Sequence, residues 1–326
     1  NGSSSFAASY RDQSNIFISS ARNTSVEDDG KKIESSLLSD IFTMRKTSSG
    51  WEGAMAINQP VNSIQHEGAP SMGNDEKTMY FTRWFTDNEK NPEIYVSKYF
   101  VDKWMKPRKL GESVNQKEYS SKHPYISKNN KLLFFASDMP GGQGGFDIWM
   151  CKVDRKGYTS EPINLGPTIN TPEDEITPFL HEATGVLYFS SKGHKNIGGF
   201  DIFKSAFNLS QNYAAPPVNM GFPINSSKND MYFCLADLQK EGFLTSNREE
   251  CSDCADAHCN QIYNVSKNEN QFLLSGYVFD ADSYEPIPYG NITIKDVLGV
   301  FEDYTFETDS TGYYELPLSP EMHIFI

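Results

Sequence analysis

A glycine-rich run, MPGGQGGFDIWM at 139–150, is the first stretch whose residue types suit chemistry. Glycine-rich loops bind phosphate when a strand precedes them and a helix follows, because the helix N-terminus supplies free amides. Here an alternating, strand-like run from Phe146 to Met150 follows at once, and no GKS or GKT occurs in the chain. We therefore interpret the run as a turn between two strands, in which glycines supply positive φ angles and Asp147 accepts hydrogen bonds from loop amides.

The motifs of hydrolytic enzymes are incomplete. The sequence has no GxSxG elbow, and its two His-Glu pairs, at 66–67 and 181–182, lack the second histidine of a zinc-protease helix. The adjacent carboxylates Asp174 and Glu175 lie in a polar connection, where we expect turn capping, with a shared cation as the alternative. No catalytic, cofactor-binding or metal-binding residue is predicted, so the chain is expected not to be an enzyme.

Three cysteines, Cys251, Cys254 and Cys259, lie within nine residues. In an exported protein such a cluster indicates one disulfide and a spare thiol, and a short-loop bridge stabilises a fold by about 2–3 kcal/mol. Zinc binding with His258 as the fourth ligand is an alternative, although a histidine next to Cys259 fits a tetrahedral site poorly. Free thiols are the third interpretation.

The glycine-rich run has a copy further along the chain. The segment LLFFASDMPGGQGGFDIWMCK at 132–152 matches VLYFSSKGHKNIGGFDIFKSA at 186–206, with an offset of 54 residues. A turn geometry is more readily copied within a chain than a catalytic loop is. The predicted structural turns therefore comprise two aligned sets of residues: Gly144, Gly145 and Asp147, and Gly198, Gly199 and Asp201.

The repeat extends over most of the chain and predicts the fold. Five units are anchored near Ile16, Tyr80, Phe134, Tyr188 and Phe243, and each reads as four short strands with no helical period. Four antiparallel strands repeated radially describe a β-propeller blade, so we predict an all-β propeller of five blades, with a sixth as the alternative. We expect the segment SSFAASY, at 4–10, to close the ring by pairing into the last blade.

A second motif recurs where one unit joins the next. Asn115, Asn170 and Asn225 recur at a spacing of 55 residues, and Glu175 and Asp230 each lie five residues after an asparagine. Such side chains commonly bond to nearby backbone amides in turns. We therefore expect them to cap the connections between blades.

The repeat ends near residue 268. Strand-like runs near 273–279, 290–296, 303–307 and 312–316 are separated by turn signals, which is typical of an Ig-like or prealbumin-like β-sandwich. We predict a propeller over 1–268 and a sandwich over 269–326 that lacks one or two strands. The net charge of −14 argues against a nucleic-acid partner. The sequence contains no run of about 18 apolar residues, so no transmembrane segment is predicted.

The repeats resemble those of a known family. GGFDIW, NLGPTINTPEDEITPF and LYFSSKGHKNIGGFDIF are similar to the propeller repeats of periplasmic Bacteroidota proteins that also carry an OmpA-like domain. SGYVFDADSYEPIPYGNITI resembles the carboxypeptidase regulatory-like domain that follows the propeller in those proteins. The cysteine cluster at 251–259 departs from the family pattern, since it replaces the glycine loop of the last unit.

The resemblance implies a function. Such proteins are non-enzymatic scaffolds of the periplasm, associated with the outer membrane, and here the implied role is to help anchor the type IX secretion machinery to the cell envelope. The implied partners are other envelope or secretion-system proteins, and peptidoglycan through a domain absent from this chain. The alternative is a propeller that binds or hydrolyses glycan or peptide with carboxylates in its axial funnel.

Overall fold

The computed structural model describes all of the chain except residues 1–3, 22–23, 29–30, 36–37, 86–90, 210–212, 237–240, 249–259, 267–271, 297–303, 319–323 and 326. The cysteine cluster lies outside the described residues. The described residues form strands and turns, and they include no helix that is long and apolar enough to span a membrane. The chain divides into two compact units, Asn1–Ser266 and Lys267–Ile326.

The first unit contains five antiparallel sheets in chain order, each of which is one propeller blade. Blade 1 is formed in the order β1-β2-β5-β6, with a hairpin inserted between its second and third strands: β1 (Ser5–Tyr10), β2 (Asn15–Ala21), β3 (Thr24–Asp28), β4 (Lys31–Ser35), β5 (Ser39–Thr47) and β6 (Gly50–Ala56). Blade 2 contains β7 (His66–Met72), β8 (Thr78–Trp84), β9 (Glu93–Phe100), β10 (Lys103–Trp104) and β11 (Arg108–Lys109).

The remaining three blades repeat this order. Blade 3 contains β12 (Ser121–Ile126), β13 (Leu132–Ser137), β14 (Asp147–Lys152) and β15 (Ile163–Asn164). Blade 4 contains β16 (Glu175–His181), β17 (Val186–Ser191), β18 (Asp201–Asn208), β19 (Tyr213–Ala214) and β20 (Val218–Asn219). Blade 5 contains β21 (Asp230–Leu235), β22 (Glu241–Ser246) and β23 (Gln261–Ser266). The prediction of an all-β propeller with five blades is confirmed.

The core lies between the blades. Successive side chains of a strand point to opposite faces of its sheet, and each blade is covered on both faces. Phe134 and Phe135 of β13 are both fully buried, but Phe134 packs against blade 4 and Phe135 against blade 2. This arrangement explains why the second strand of each blade is an uninterrupted apolar run in the sequence. Five such hydrophobic clusters are present, one between each pair of neighbouring blades, including blades 5 and 1.

Every innermost strand carries a β-bulge near its start, at the third residue in four blades and at the fourth in β7. The bulged residue has a positive φ angle, and the register between the first two strands shifts at this point. The five bulged residues and their φ angles are Ala7 (52°), Ala69 (49°), His123 (55°), Thr177 (53°) and Tyr232 (52°). A shared distortion in all five blades is therefore part of the repeat, although the residue types that carry it differ.

The bulge turns a main-chain N–H towards the preceding blade. The amide of Ala69 donates to the hydroxyl of Ser19 at 2.9 Å, and that of His123 donates to the hydroxyl of Thr82 at 2.9 Å. The amide of Tyr232 donates to the Thr177 hydroxyl of blade 4 at 3.4 Å. A buried donor that loses its partner costs about 1–3 kcal/mol, so these contacts fix how each blade sits on the one before it.

The ring closes by the same contacts, and the expected pairing of 4–10 into the last blade is wrong. Strand β1 pairs with β2 and is the innermost strand of blade 1. The Ala7 amide donates to the hydroxyl of Thr245 in blade 5 at 3.1 Å, and the Ser5 amide donates to the carbonyl of Asn260 at 2.9 Å. Blade 1 needs its own innermost strand to cover the core, so closure depends on contacts between blades and not on a shared sheet.

The second unit forms small antiparallel sheets. Strand β24 (Phe272–Tyr277) pairs with β27 (Tyr313–Leu318), while β25 (Asn291–Asp296) pairs with β26 (Tyr304–Glu307) and β28 (Ile324–Phe325). An Ig-like or prealbumin-like class for this unit stays a prediction.

Loss of the closing hydroxyl is expected to destabilise the ring. Thr245→Val keeps the side-chain volume but leaves the buried Ala7 amide without its acceptor, so the free energy of unfolding should fall by about 1–3 kcal/mol. Urea denaturation followed by tryptophan fluorescence measures the change. Thr43→Val on β5 is the control, because its hydroxyl makes no hydrogen bond within the described residues, and it should change stability little. Equal stability of the two variants would contradict the proposed closing role.

Candidate functional site

The glycine-rich loop of blade 3 lies against the connection that leads to blade 4. Gly144 and Gly145 do not have positive φ angles, in contrast to the sequence-based expectation, and of the four glycines in the loop only Gly141 does, at 95°. A Cβ atom on Gly144 would lie closer than 3.0 Å to the backbone of Pro172. One on Gly145 would lie equally close to a carboxylate oxygen of Asp174. The loop therefore needs glycines for close approach to the next blade.

The copy of this loop in blade 4 makes equivalent contacts. A Cβ atom on Gly198 would lie closer than 3.0 Å to the carbonyl oxygen of Lys228, and one on Gly199 equally close to the side chain of Asn229. The Gly199 amide donates to the Lys228 carbonyl at 2.9 Å, just as the Gly145 amide of blade 3 donates to a connection carbonyl at 3.0 Å. Both loops lock one blade onto the connection to the next.

The aspartates of the two loops hold the turns in shape. Asp147 accepts a hydrogen bond from the amide of Gln143 and one from the side chain of Asn164 at 2.8 Å. Asp201 accepts bonds from the amides of Ile197 at 2.6 Å and Gly198 at 3.1 Å. Both carboxylates are almost fully buried, and their bonds run to the chain itself, as a structural turn requires.

The recurring asparagines act as clamps on the third strand of their own blade. The Asn170 side chain accepts from the amide of Ile148 at 2.8 Å and donates to the carbonyl of the same residue at 3.0 Å. Asn225 bonds both main-chain groups of Ile202 in the same way, at 2.8 and 2.9 Å. The contact is with a strand edge, so the expectation of simple turn capping describes only part of the role.

Two further clamps complete the set. Asn115 bonds the amide and carbonyl of Ile94 at 2.8 and 2.9 Å. Asn62 bonds both groups of Ile41 at 2.9 Å, and sequence reasoning missed it. Its signal was the segment VNSIQHE, in which a hydroxyl residue follows the asparagine and Glu67 comes five residues after it. Each of blades 1 to 4 therefore has one asparagine clamp on its third strand.

The carboxylates after these asparagines are buried and occupied. Glu67 accepts from the Ser63 amide at 3.0 Å, the Ser63 hydroxyl at 2.6 Å and the Arg83 guanidinium at 2.7 Å. Burial raises the pKa of Glu67 to about 7, although Arg83 and Ser63 oppose the shift. Asp230 likewise accepts from Ser226 and from Arg248 at 2.6 Å. These groups tie each connection to the strand that follows it.

Asp174 and Glu175 turn to different partners. Glu175 accepts bonds from the Thr171 amide at 2.6 Å and the Ser191 hydroxyl at 2.5 Å, and burial raises its pKa. Asp174 forms an ion pair with Lys192 at 2.8 Å. Burial raises the pKa of Asp174, but the ion pair and a hydrogen bond from the Phe146 amide outweigh burial, so the pKa is lowered. Among the described residues, no group of three or more His, Cys, Asp or Glu side chains is placed to hold a metal ion.

The propeller axis is narrow and lined by apolar groups. Three consecutive residues from each innermost strand surround a cavity of about 60 Å³, which has room for a few water molecules. They are residues 7–9, 69–71, 123–125, 177–179 and 232–234, and they include no carboxylate. His123 is the one titratable imidazole there, and burial lowers its pKa well below the usual value. A neutral histidine without an acid partner is not an acid–base pair.

An aromatic cluster borders this cavity. The ring of His123 lies 5.1 Å from that of Tyr232, which lies 5.8 Å from Phe6, and Phe6 lies 6.5 Å from Trp84. The other histidines of the repeats do not converge there, since His194 bonds the Ile169 carbonyl and stacks on its own blade. The described part of the axis is thus lined by packing residues.

Comparison with known proteins gives similarity in fold alone. No family model matches the chain, and no curated protein matches it. A GH43 β-xylosidase/α-arabinofuranosidase from a compost microbial metagenome, solved with xylotriose, superposes with a TM-score of 0.50 at 11% identity, covering 86% of this chain and 92% of that one.

Two weaker similarities involve longer proteins. TolB from Acinetobacter baumannii gives a TM-score of 0.43 at 12% identity over 74% of this chain, and a puromycin-hydrolyzing peptidase of Mycobacterium tuberculosis gives 0.44 at 14% over 78%. The chain spans 51% of the length of that TolB and 35% of the length of the peptidase. At these identities, similarity does not transfer an activity.

A methyl group at the close glycines should disturb the contact between blades. Gly198→Ala places a Cβ against main-chain carbonyls of residues 226 and 228, which cannot rotate away, so the free energy of unfolding should fall by about 1–3 kcal/mol. Gly111→Ala is the matched control, since a Cβ there meets nothing within 4 Å and its φ is not positive. It should be neutral or stabilise by up to about 1 kcal/mol. Thermal unfolding measures both, and equal melting temperatures would refute the close-approach argument.

The buried Glu67 should make stability depend on pH. Because its pKa is raised from 4.5 to about 7 in the folded state, the folded protein binds this proton more tightly, and stability falls as pH rises from about 4.5 through 7. Glu67→Gln removes that dependence. The stability of the wild type minus that of the variant should therefore decrease by about 1–3 kcal/mol across this range, measured by urea denaturation at several pH values. An increase would show that the Arg83 ion pair outweighs burial.

Proposed function

We propose that this chain is a non-enzymatic interaction module of the cell envelope, a periplasmic scaffold that presents its propeller to protein partners. The observation that carries the proposal is that the recurring polar residues serve the fold. Side chains that resemble a reactive site in the sequence, such as Asp147, Glu175 and Asp230, are bonded to neighbouring loops and strands. They hold blades together and are not turned towards a substrate.

The axis supports the same proposal. Propeller enzymes of the glycosidase type act with two carboxylates that flank the scissile bond. Here the described axial cavity has room for a few waters, is lined by no carboxylate, and borders on an aromatic cluster.

The outer surface offers material for contacts with proteins. Large apolar side chains are exposed on several blades, including Phe100, Tyr158 and Phe222, the last of which is 87% exposed. Aromatic anchors of this kind carry much of the binding energy in protein interfaces. The charge of −14 favours partners with basic or neutral surfaces over acidic ones.

The proposed location at the outer membrane and the role in type IX secretion rest on the resemblance of the repeats. GGFDIW and NLGPTINTPEDEITPF are similar to repeats of Bacteroidota OmpA-family proteins, so we place the chain at the periplasmic side of the outer membrane, where it helps to anchor the type IX secretion machinery. The same resemblance makes peptidoglycan a further proposed partner.

Co-purification from the native envelope tests the proposal. The tagged full-length protein should recover envelope or secretion-system proteins after mild cross-linking, and the purified chain should not turn over a panel of glycans and peptides. Phe222→Ser, on the exposed surface, and Ser9→Ala, in the axial cavity, form a matched pair of variants. If the chain is a scaffold, the Ser9→Ala variant should still recover the same partner proteins. Turnover of a glycan or peptide that Ser9→Ala or His123→Ala abolishes would overturn the proposal.

A further inference from the structure

Blade 5 differs from the others at its outer edge. In blades 1 to 4 the third strand pairs on both sides, with the second strand and with an outer strand, β6, β11, β15 or β20. Among the described strands, β23 pairs with β22 alone. The second compact unit begins at Lys267, directly after β23 ends at Ser266. Strand β23 is therefore the last described strand of the propeller, and no described strand covers its outer edge.

The exposed edge of β23 lacks the usual protection against pairing. Natural sheets guard their edges with short strands, charged residues, proline or bulges. The outer strands β11, β15 and β20 are two residues long, and β11 consists of Arg108 and Lys109. By contrast β23 has six residues, QIYNVS, with no charge and no proline, and it pairs with β22 without a register shift. Such an edge is a template for another strand.

The other blades show which main-chain groups this edge presents. In blade 4, Ile202 lies opposite Ser190, and its outward carbonyl accepts the Met220 amide of the outer strand segment at 3.0 Å while Asn225 clamps both of its main-chain groups. Ile262 holds the same position in blade 5, opposite Thr245. No described residue clamps Ile262. The main-chain N–H and C=O of Asn264, two residues further along β23, point to the same outer side as those of Ile262.

We propose that the outer edge of β23 binds a segment of a partner protein, which adds as a short antiparallel strand, turns at a glycine and places an asparagine against the main chain of Ile262. This is strand addition to a sheet edge, in which backbone bonds supply affinity and side chains supply specificity. This inference rests on the interaction role proposed above, and it identifies the edge of β23 as the surface that contacts the partner.

The chain itself supplies the template for the partner segment. The segments NLGPTIN at 164–170 and NMGFPIN at 219–225 share an apolar residue five positions before the final asparagine and a glycine four positions before it. The apolar residues, Leu165 and Met220, donate their amides to Ile148 and Ile202 at 3.1 and 3.0 Å. In both segments the glycine has a positive φ angle and a turn follows it. The partner segment is therefore a short strand and a turn, with an apolar residue, a glycine and an asparagine at this spacing.

A second copy of this chain fits the edge less well. Each copy carries a net charge of −14, so edge-to-edge association is opposed by repulsion. The asparagines of this pattern, at positions 62, 115, 170 and 225, are already engaged in blades 1 to 4. A different protein with a free segment is the occupant that these observations favour.

A peptide from the chain itself serves as the probe. A fluorescent peptide with the sequence of residues 216–226, PPVNMGFPINS, is titrated into the full-length protein, and binding is followed by anisotropy. The same peptide with Asn225→Ala loses the clamp and should bind about tenfold more weakly. Hydrogen exchange of the wild-type protein should slow at the amides of Ile262 and Asn264 when the probe binds.

Two protein variants locate the site. Asn264→Pro removes an outward amide and should abolish probe binding, while Asn264→Ala keeps the amide and should bind as the wild type does. If the proline variant does not fold, the exchange experiment on the wild type decides. Absence of binding at about 1 mM probe, equal affinity of the two peptides, or protection at a different blade would overturn the proposal.

The outcomes also separate this proposal from the broader one. If the probe does not bind but partners still co-purify from the envelope, the edge is wrong and the scaffold role stands. If the probe binds but no partner is recovered, the scaffold role fails. A dimer in sedimentation that Asn264→Pro dissociates would assign the edge to a second copy and refute a separate partner.

Discussion

The propeller depends on hydrogen bonds from the main chain of each innermost strand to the blade before it. In blades 3, 4 and 5 the first residue of the strand donates to a carbonyl that precedes the third strand of the neighbouring blade, as in Glu175 to Phe146 at 2.6 Å and Asp230 to Phe200 at 2.7 Å. Ser5 makes the same bond to Asn260 across the ring closure. One local rule, repeated, aligns the blades so that their apolar faces meet, and it also closes the circle.

This constraint explains the unusual polar content of the connections. A loop that approaches the next blade closely enough to bond to it leaves no room for side chains, hence Gly144 and Gly198. The approach buries carbonyls, amides and carboxylates, and each must find a partner. Asn170 and Glu175 supply such partners. Residues that resemble a binding site in the sequence thus provide the hydrogen bonds that close packing of five small sheets requires.

Blade 5 shows the consequence of stopping the pattern. The inner contacts of β21 and β22 persist because ring closure requires them, through Thr245 and Asn260. The outer strand and its asparagine clamp contribute nothing to closure, and the chain passes instead into its second unit at Lys267.

The sequence by itself determined the repeat period and the anchor residue of each blade, and it favoured five blades over six, because alternation and turn residues are local properties. It also indicated that the turns of Asp147 and Asp201 are structural, since they are repeated. Only the tertiary structure decided what the glycines touch, that Asn62 belongs with the other clamps, and that β1 remains in its own blade. These features depend on contacts between residues far apart in the chain, such as Ala7 and Thr245, which no local pattern records.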